Sequence, residues 1–209
     1  MNTVTVDFKN TVGAVKPMHA VNNGPIYKFA ADQRITNIDH FRAAGIPYAR
    51  THDAAFYATY GGEHIVDVNN IFTVFSKDPT YPASYDFGNT DEDIFVALEA
   101  GTETFFRLGQ SIEHQIKKHA TLPPADFQKW AEICEHIIMH YNEGWANGYH
   151  LTIQHWMIWC EPDLDPDDSP NKRLWGGTKA QFFDLYEITS KRLKARFPHL
   201  KIGGPGLAG

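Results

Sequence analysis

Apolar and polar positions along this chain change period repeatedly, from strand-like runs to a period of about 3.6 and back. Short apolar runs end in polar loops at 17–21, 46–50, 104–108, 153–159 and 200–203, and each predicts a strand. Between them lie stretches with helical spacing. One over 32–44 carries Ile35, Ile38 and Phe41 on one face and stops at Gly45. Another spans 90–100 and ends at Gly101. The clearest runs over 124–142, where Phe127, Trp130, Ile133, Cys134, Ile137, Ile138 and Tyr141 form a single stripe. The last runs to Arg196 behind Thr178 as N-cap, with Phe182, Leu185, Tyr186, Thr189 and Leu193 inward. Residues 54–87, rich in Tyr, Gly, Pro and Asn, read as an elaborated loop with a short strand at 64–68.

Alternating strands and helices with a polar loop after each strand predict an α/β fold with a parallel sheet. About five β/α units are legible, whereas a closed (β/α)8 barrel takes eight in about 250 residues. A partial TIM barrel is therefore expected, as one domain over 1–209. The alternative, an open doubly wound sheet, lacks a Gly-rich phosphate loop after its first strand. The glycines at 203–206 close the sequence rather than open a helix.

Composition changes this picture little. The chain is 43% hydrophobic and 21% charged, with a net charge of -6, which argues against a nucleic-acid partner. No run has transmembrane length, and residues 1–10 lack a signal-peptide core, so no membrane partner is expected and the cytosol is the default location. Aromatic residues reach 13%, enough for a core with some rings left to line a cleft. Two cysteines, Cys134 and Cys160, suggest no disulfide framework.

Candidate chemistry sits in the loops after the strands. Trp159-Cys160-Glu161-Pro162 follows the run ending in Met157-Ile158. A carboxylate at a strand end beside indole and proline suits a general acid, whose pKa must differ from that of its partner carboxylate. His136 and His140 have the i,i+4 spacing of zinc ligands but project away from the apolar stripe, so a solvated face is expected. Glu113-His114 follows the third strand, where binding and simple loop polarity are equally open readings. Asp163, Asp165, Asp167 and Asp168 lack the Gly and terminal Glu of a calcium loop, and an acidic loop is expected. No metal or cofactor is expected.

With these residues in view, the chain resembles glycoside hydrolase family 39, the β-xylosidase and α-iduronidase relatives. The likeness is carried by His19-Ala20-Val21-Asn22-Asn23-Gly24-Pro25, by Arg50-Thr51-His52-Asp53 and by Trp159-Cys160-Glu161-Pro162-Asp163-Leu164. Trp175-Gly176-Gly177-Thr178 and Lys201-Ile202-Gly203-Gly204-Pro205 support it. The resemblance implies a retaining glycosidase of xylosidase type acting on a carbohydrate. Glu161 matches its acid/base. Arg50, His52 and Asp53 match a cluster that helps form the sugar pocket, Asn22 and Asn23 are candidate substrate contacts in the first matching segment, and His114 is a further candidate by its place after the third strand. Cys160 stands where the wider clan keeps the Asn of Trp-Asn-Glu-Pro, which hydrogen-bonds the sugar 2-hydroxyl. The nucleophile belongs to a seventh strand, which this sequence does not contain. Arg107 and Gln110 stand where a typical xylosidase would have Glu and Phe.

Cys160 is physically consequential. A thiol is a weak donor and a poor acceptor, so the hydrogen bond an Asn amide would make is largely lost. A nucleophilic role for it would need a base, and none is evident beside it in sequence. Two functional readings follow: a truncated glycosidase inactive alone, or a non-catalytic carbohydrate-binding remnant. Five strands leave two open edges and strip packing from the inward residues Phe105, Ile158 and Ile202. Self-association, or pairing with a missing barrel half, is therefore expected.

Overall fold

The computed structural model describes residues 2–30, 33–52 and 64–208. Its strands are β1 (Val21–Asn22), β2 (Tyr27–Ala30), β3 (Gln33–Thr36), β4 (Tyr48–Arg50), β5 (Glu103–Leu108), β6 (His155–Ile158) and β7 (Lys201–Gly203). Its helices are α1 (Ile38–Ala44), α2 (Val68–Ile71), α3 (Gly88–Glu99), α4 (Phe127–Glu143) and α5 (Lys179–Arg196). β1, β4, β5, β6 and β7 form one five-stranded sheet in that order, and every pair is parallel. Parallel neighbours that follow one another in sequence, joined through helices, are the build of a partial (β/α) barrel.

Register decides which side chains face where. Phe105 pairs with His155 and Arg107 with Met157. Phe106, Leu108, Trp156 and Ile158 point the other way and are buried under the helices with Trp130, Ile137, Tyr141 and Leu185. Ile158 is wholly covered there, and Ile202 packs against the same cluster. The expectation that Ile158 and Ile202 face inward is therefore wrong. Strand alternation puts Phe105 and Met157 on the barrel side and both isoleucines on the helix side.

The two long helices confirm their sequence signals. Asp126 caps α4 by accepting from the Lys129 N–H at 3.0 Å, and Gly144 ends it in the left-handed region. Thr178 and Gln181 form a reciprocal capping box at the start of α5.

The predicted helix over 32–44 is shorter than expected. Its first half is β3, paired antiparallel with β2, and only Ile38–Ala44 is helical. Residues 33–36 end in β-branched Ile35 and Thr36, which favours a strand. Asn37 then accepts from the Ile26 N–H at 2.6 Å and closes the open end of the hairpin. Residue 32 lies outside the described residues.

The expected strand at 64–68 is also absent among the described residues: a turn over 65–66 runs into α2. From there the chain packs inward. Val68, Ile71, Phe72 and Phe87 join the main core, and Tyr85 rests against it.

That covering segment corrects the reading of His136 and His140, which are buried rather than solvated at 8% and 2% exposure. His140 stacks flat on Phe87 at 3.5 Å between ring centroids. Its Nδ1 and Nε2 meet the Trp145 carbonyl at 3.0 Å and Asp91 at 3.2 Å. His136 lies against Tyr85 and Trp145. The sheet buries one face of α4, and the aromatic loops bury the next.

Candidate active site

At the C-terminal ends of the strands the chain draws the candidate residues together from three elements. Asn22 ends β1 and Arg50 ends β4, side by side in register. The Arg50 Nε donates to Asn22 Oδ1 at 2.9 Å, and its Nη1 reaches both Met157 Sδ and Cys160 Sγ at 3.7 Å. His52 Nε2 stands 4.0 Å from the same Cys160 sulfur. Asn23 sits beside them, its N–H donating to the Arg50 carbonyl at 2.9 Å. Asp53 lies outside the described residues.

The chain leaves β6 through an unusual backbone. Trp159 has φ 65° and Glu161 φ 37°, both in the left-handed region that costs a non-glycine residue about 1–2 kcal/mol. Such strain tends to collect at functional positions. The turn is held from both sides. Trp159 donates its N–H to the Leu108 carbonyl at 2.7 Å and its indole N–H to the Leu174 carbonyl at 2.8 Å. Glu161 donates its N–H to the Gly206 carbonyl at 2.9 Å, which ties it to the loop after β7. Glu161 is thus fixed at the end of the fourth strand of the sheet, half-buried, two residues beyond fully buried Trp159.

Cys160 is fully buried, packed among Arg50, Met157 and His52. Burial pushes its thiol pKa up, against the opposing pull of Arg50 and Arg107. A protonated, covered thiol is a poor nucleophile. Cys134 is buried as well, and both cysteines are free.

Behind this cluster lies a polar group that sequence reasoning missed. Arg107 and Asp67 are both buried, and Arg107 Nη2 donates to Asp67 Oδ1 at 2.6 Å. Asp67 also accepts from the Ser111 N–H at 2.9 Å and hydroxyl at 2.7 Å, and His64 Nδ1 lies 3.0 Å away. Burial would raise the Asp67 pKa, but Arg107, His64 and Ser111 together hold it below the usual carboxylate value. Thr51 joins the group by accepting from the Arg107 N–H at 2.8 Å. The available signal was one charged residue inside each of two apolar runs, Phe105-Phe106-Arg107-Leu108 and Ile65-Val66-Asp67-Val68. A buried charge needs a partner.

The loop after β5 divides its two candidates. His114 is exposed. Glu113 is turned inward, its carboxylate accepting from the N–H groups of His119, Ala120 and Thr121 at 3.0–3.4 Å and from the Thr121 hydroxyl at 3.2 Å. It organises its own loop.

In the acidic loop, Asp165 is bound by Arg173 through Nε and Nη2 at 3.0 and 2.8 Å. Asp167 pairs with Lys172 at 3.3 Å, and Asp163 accepts from the Ala208 N–H at 3.1 Å. Among the described residues no group of three or more His, Cys, Asp or Glu could hold a metal ion. Nor is any helix there long and apolar enough to cross a membrane.

An open parallel β/α sheet with a strained Trp-x-Glu-Pro turn at the end of its fourth strand defines part of a TIM-barrel glycosidase fold. The profile of glycosyl hydrolases family 39 matches residues 8–209, and the chain belongs to that family. A β-xylosidase of Geobacillus stearothermophilus is 28% identical over 116 residues, 54% of this chain and 19% of that protein. A β-xylosidase of Caldicellulosiruptor saccharolyticus is 26% identical over 152 residues, 68% of this chain and 29% of that protein. A glucosidase from Croceicoccus marinus shares the fold with a TM-score of 0.76 at 24% identity, over 95% of this chain and 38% of its own. The chain thus spans well under half the length of each of these relatives.

Proposed function

We propose that residues 1–209 are the N-terminal part of a glycoside hydrolase catalytic domain that cleaves O-glycosidic bonds of the β-xyloside type with retention. Glu161 is its acid/base, giving a proton to the leaving oxygen and then taking one from water. Asn22, Asn23, Arg50 and His52 line the sugar side, with Asp53 and His114 as further contacts. Retention needs a second carboxyl about 5–5.5 Å from the first. In this reading that group belongs to a seventh strand outside these residues, so the 209-residue chain alone turns over no substrate.

The observation that supports this most is the position of Glu161. It follows the fourth parallel strand, at the same sheet end as Asn22 and Arg50, which is where barrel enzymes keep their chemistry. The test is an assay of the purified chain with an aryl β-xyloside, in which no steady release is expected. Release abolished by Glu161→Gln would overturn the claim of inactivity.

Cys160 favours a second reading, a carbohydrate-binding remnant without turnover. A buried thiol cannot replace the amide that holds the 2-hydroxyl, and contacts to that hydroxyl strengthen in the transition state. The coding sequence beyond codon 209 separates the two readings. Three further β/α units with a Glu ending the seventh strand support the enzyme, and an immediate stop supports the remnant.

A further inference from the structure

A second pocket, of about 260 Å³, opens between α3 and the start of β2, and it shares no residue with the candidate active site. Helical spacing along α3 puts Glu92, Phe95 and Glu99 on one face, with Asp93 beside them. Pro25 and Tyr27 close the opposite side. The Phe95 ring is 39% exposed and stands edge-on to Tyr149, with 4.7 Å between centroids.

Asp93 is the distinctive group in this wall. Its carboxyl makes no hydrogen bond or ion pair among the described residues, and burial alone raises it to about 6. It also borders a small inner cavity with Thr51 and Thr104, where the Thr104 hydroxyl is likewise without a partner among the described residues. The neighbouring charges are otherwise placed: Glu99 meets the Arg42 Nη2 of α1 at 3.6 Å. Glu92 on α3, Tyr27 on β2 and Tyr141 on α4 are the other titratable groups around Asp93. A carboxylate withdrawn from water and left unpaired is costly, and an arriving cation offsets that cost.

We propose that this pocket binds a small organic ammonium ion, with its charge on the Asp93 carboxylate and its alkyl groups against the rings of Tyr27 and Phe95. The aromatic faces attract a cation and cover its methyl groups at the same time. A metal ion fits less well, because it needs several oxygens converging on one point. Among the described residues no group of three or more His, Cys, Asp or Glu offers that. A neutral ligand would leave the Asp93 charge unmatched. The proposal does not rest on the role of Glu161.

The test uses choline and its uncharged carbon isostere, neohexyl alcohol. Both are titrated into the 209-residue protein by ligand-observed NMR at pH 8 and pH 4.5. At pH 8 choline is expected to bind about tenfold more tightly than the alcohol. That advantage should vanish at pH 4.5, where Asp93 is protonated. Asp93→Asn keeps the size of the side chain and should abolish the advantage at pH 8. Phe95→Ala, on an exposed helix position, should weaken choline about threefold or more while leaving the protein folded in a thermal melt. Equal binding of choline and the alcohol at pH 8, an advantage that survives Asp93→Asn, or no binding of choline overturns the proposal.

Discussion

A Cβ on Gly109 would lie 2.8 Å from the Cα of Trp159, and 3.3 and 3.4 Å from its carbonyl carbon and nitrogen. The end of β5 and the turn after β6 therefore touch backbone to backbone, and the turn that carries Glu161 rests on that contact. All three atoms belong to main chain, so no side chain can move aside.

Gly109→Ala is accordingly expected to destabilise the protein by about 1–3 kcal/mol, the usual cost of overpacking. Gly203→Ala serves as the control, because a Cβ there meets nothing within 4 Å. Urea denaturation of both variants checks the difference. Equal midpoints would show that the Trp159 turn tolerates displacement.

The buried pair of Asp67 and Arg107 predicts acid sensitivity of a definite sign. The folded-state pKa of Asp67 is lowered, so its contribution is complete above the unfolded value of about 3.9 and is lost as pH falls through the folded one. Asp67→Asn should cost about 3–5 kcal/mol near neutrality, because it leaves Arg107 charged and unmatched. It should also flatten the acid limb of a stability-versus-pH curve. An unchanged acid limb would contradict this.

Asp93 should behave in the opposite sense. Burial raises its carboxyl to about 6, so stability is lost as pH rises from the unfolded value of about 3.9 to the folded one, and the full cost stands above that. Asp93→Asn is expected to stabilise by about 1–3 kcal/mol at pH 8 and by almost nothing at pH 4. Thermal melts at the two pH values decide it.

Much of the architecture was legible because the relevant signals were local. The stripe from Trp130 to Tyr141 located α4 to within a few residues, and Thr178 as N-cap marked the start of α5. Misreadings arose where tertiary neighbours decide. Ile35 suits a helix face or a strand equally, and only pairing with β2 selects the strand. His136 and His140 looked solvated because a helical projection shows one buried face, while Tyr85, Phe87 and Trp145 cover a second. In the candidate site, strand-end position placed Asn22, Arg50 and Glu161 at one end of the sheet. Asp67 was missed because it meets Arg107 across 40 residues of sequence that periodicity does not read.

The sheet's open sides carry the fourth prediction. Among the described residues β1 and β7 each have one parallel neighbour, so each presents a free edge there, and the barrel face exposes part of Phe105. The isolated chain is expected to form oligomers in light scattering and to bind ANS. Ile158 should contribute nothing to either signal, since helices cover it, and half-buried Ile202 little. A compact monomer without ANS fluorescence would mean that the edges are protected.

The consecutive strand order has a consequence for assembly on the ribosome. Each parallel strand pairs only with strands next to it in the sheet's sequence order, so every register can be set as soon as the next β/α unit has emerged. The turn at Trp159 comes late in that sequence, and it closes on a Leu108 carbonyl and a Gly109 backbone already laid down. Growth in one direction thus builds half of the seat of Glu161 before Glu161 arrives, and Leu174 and Gly206 complete it afterwards.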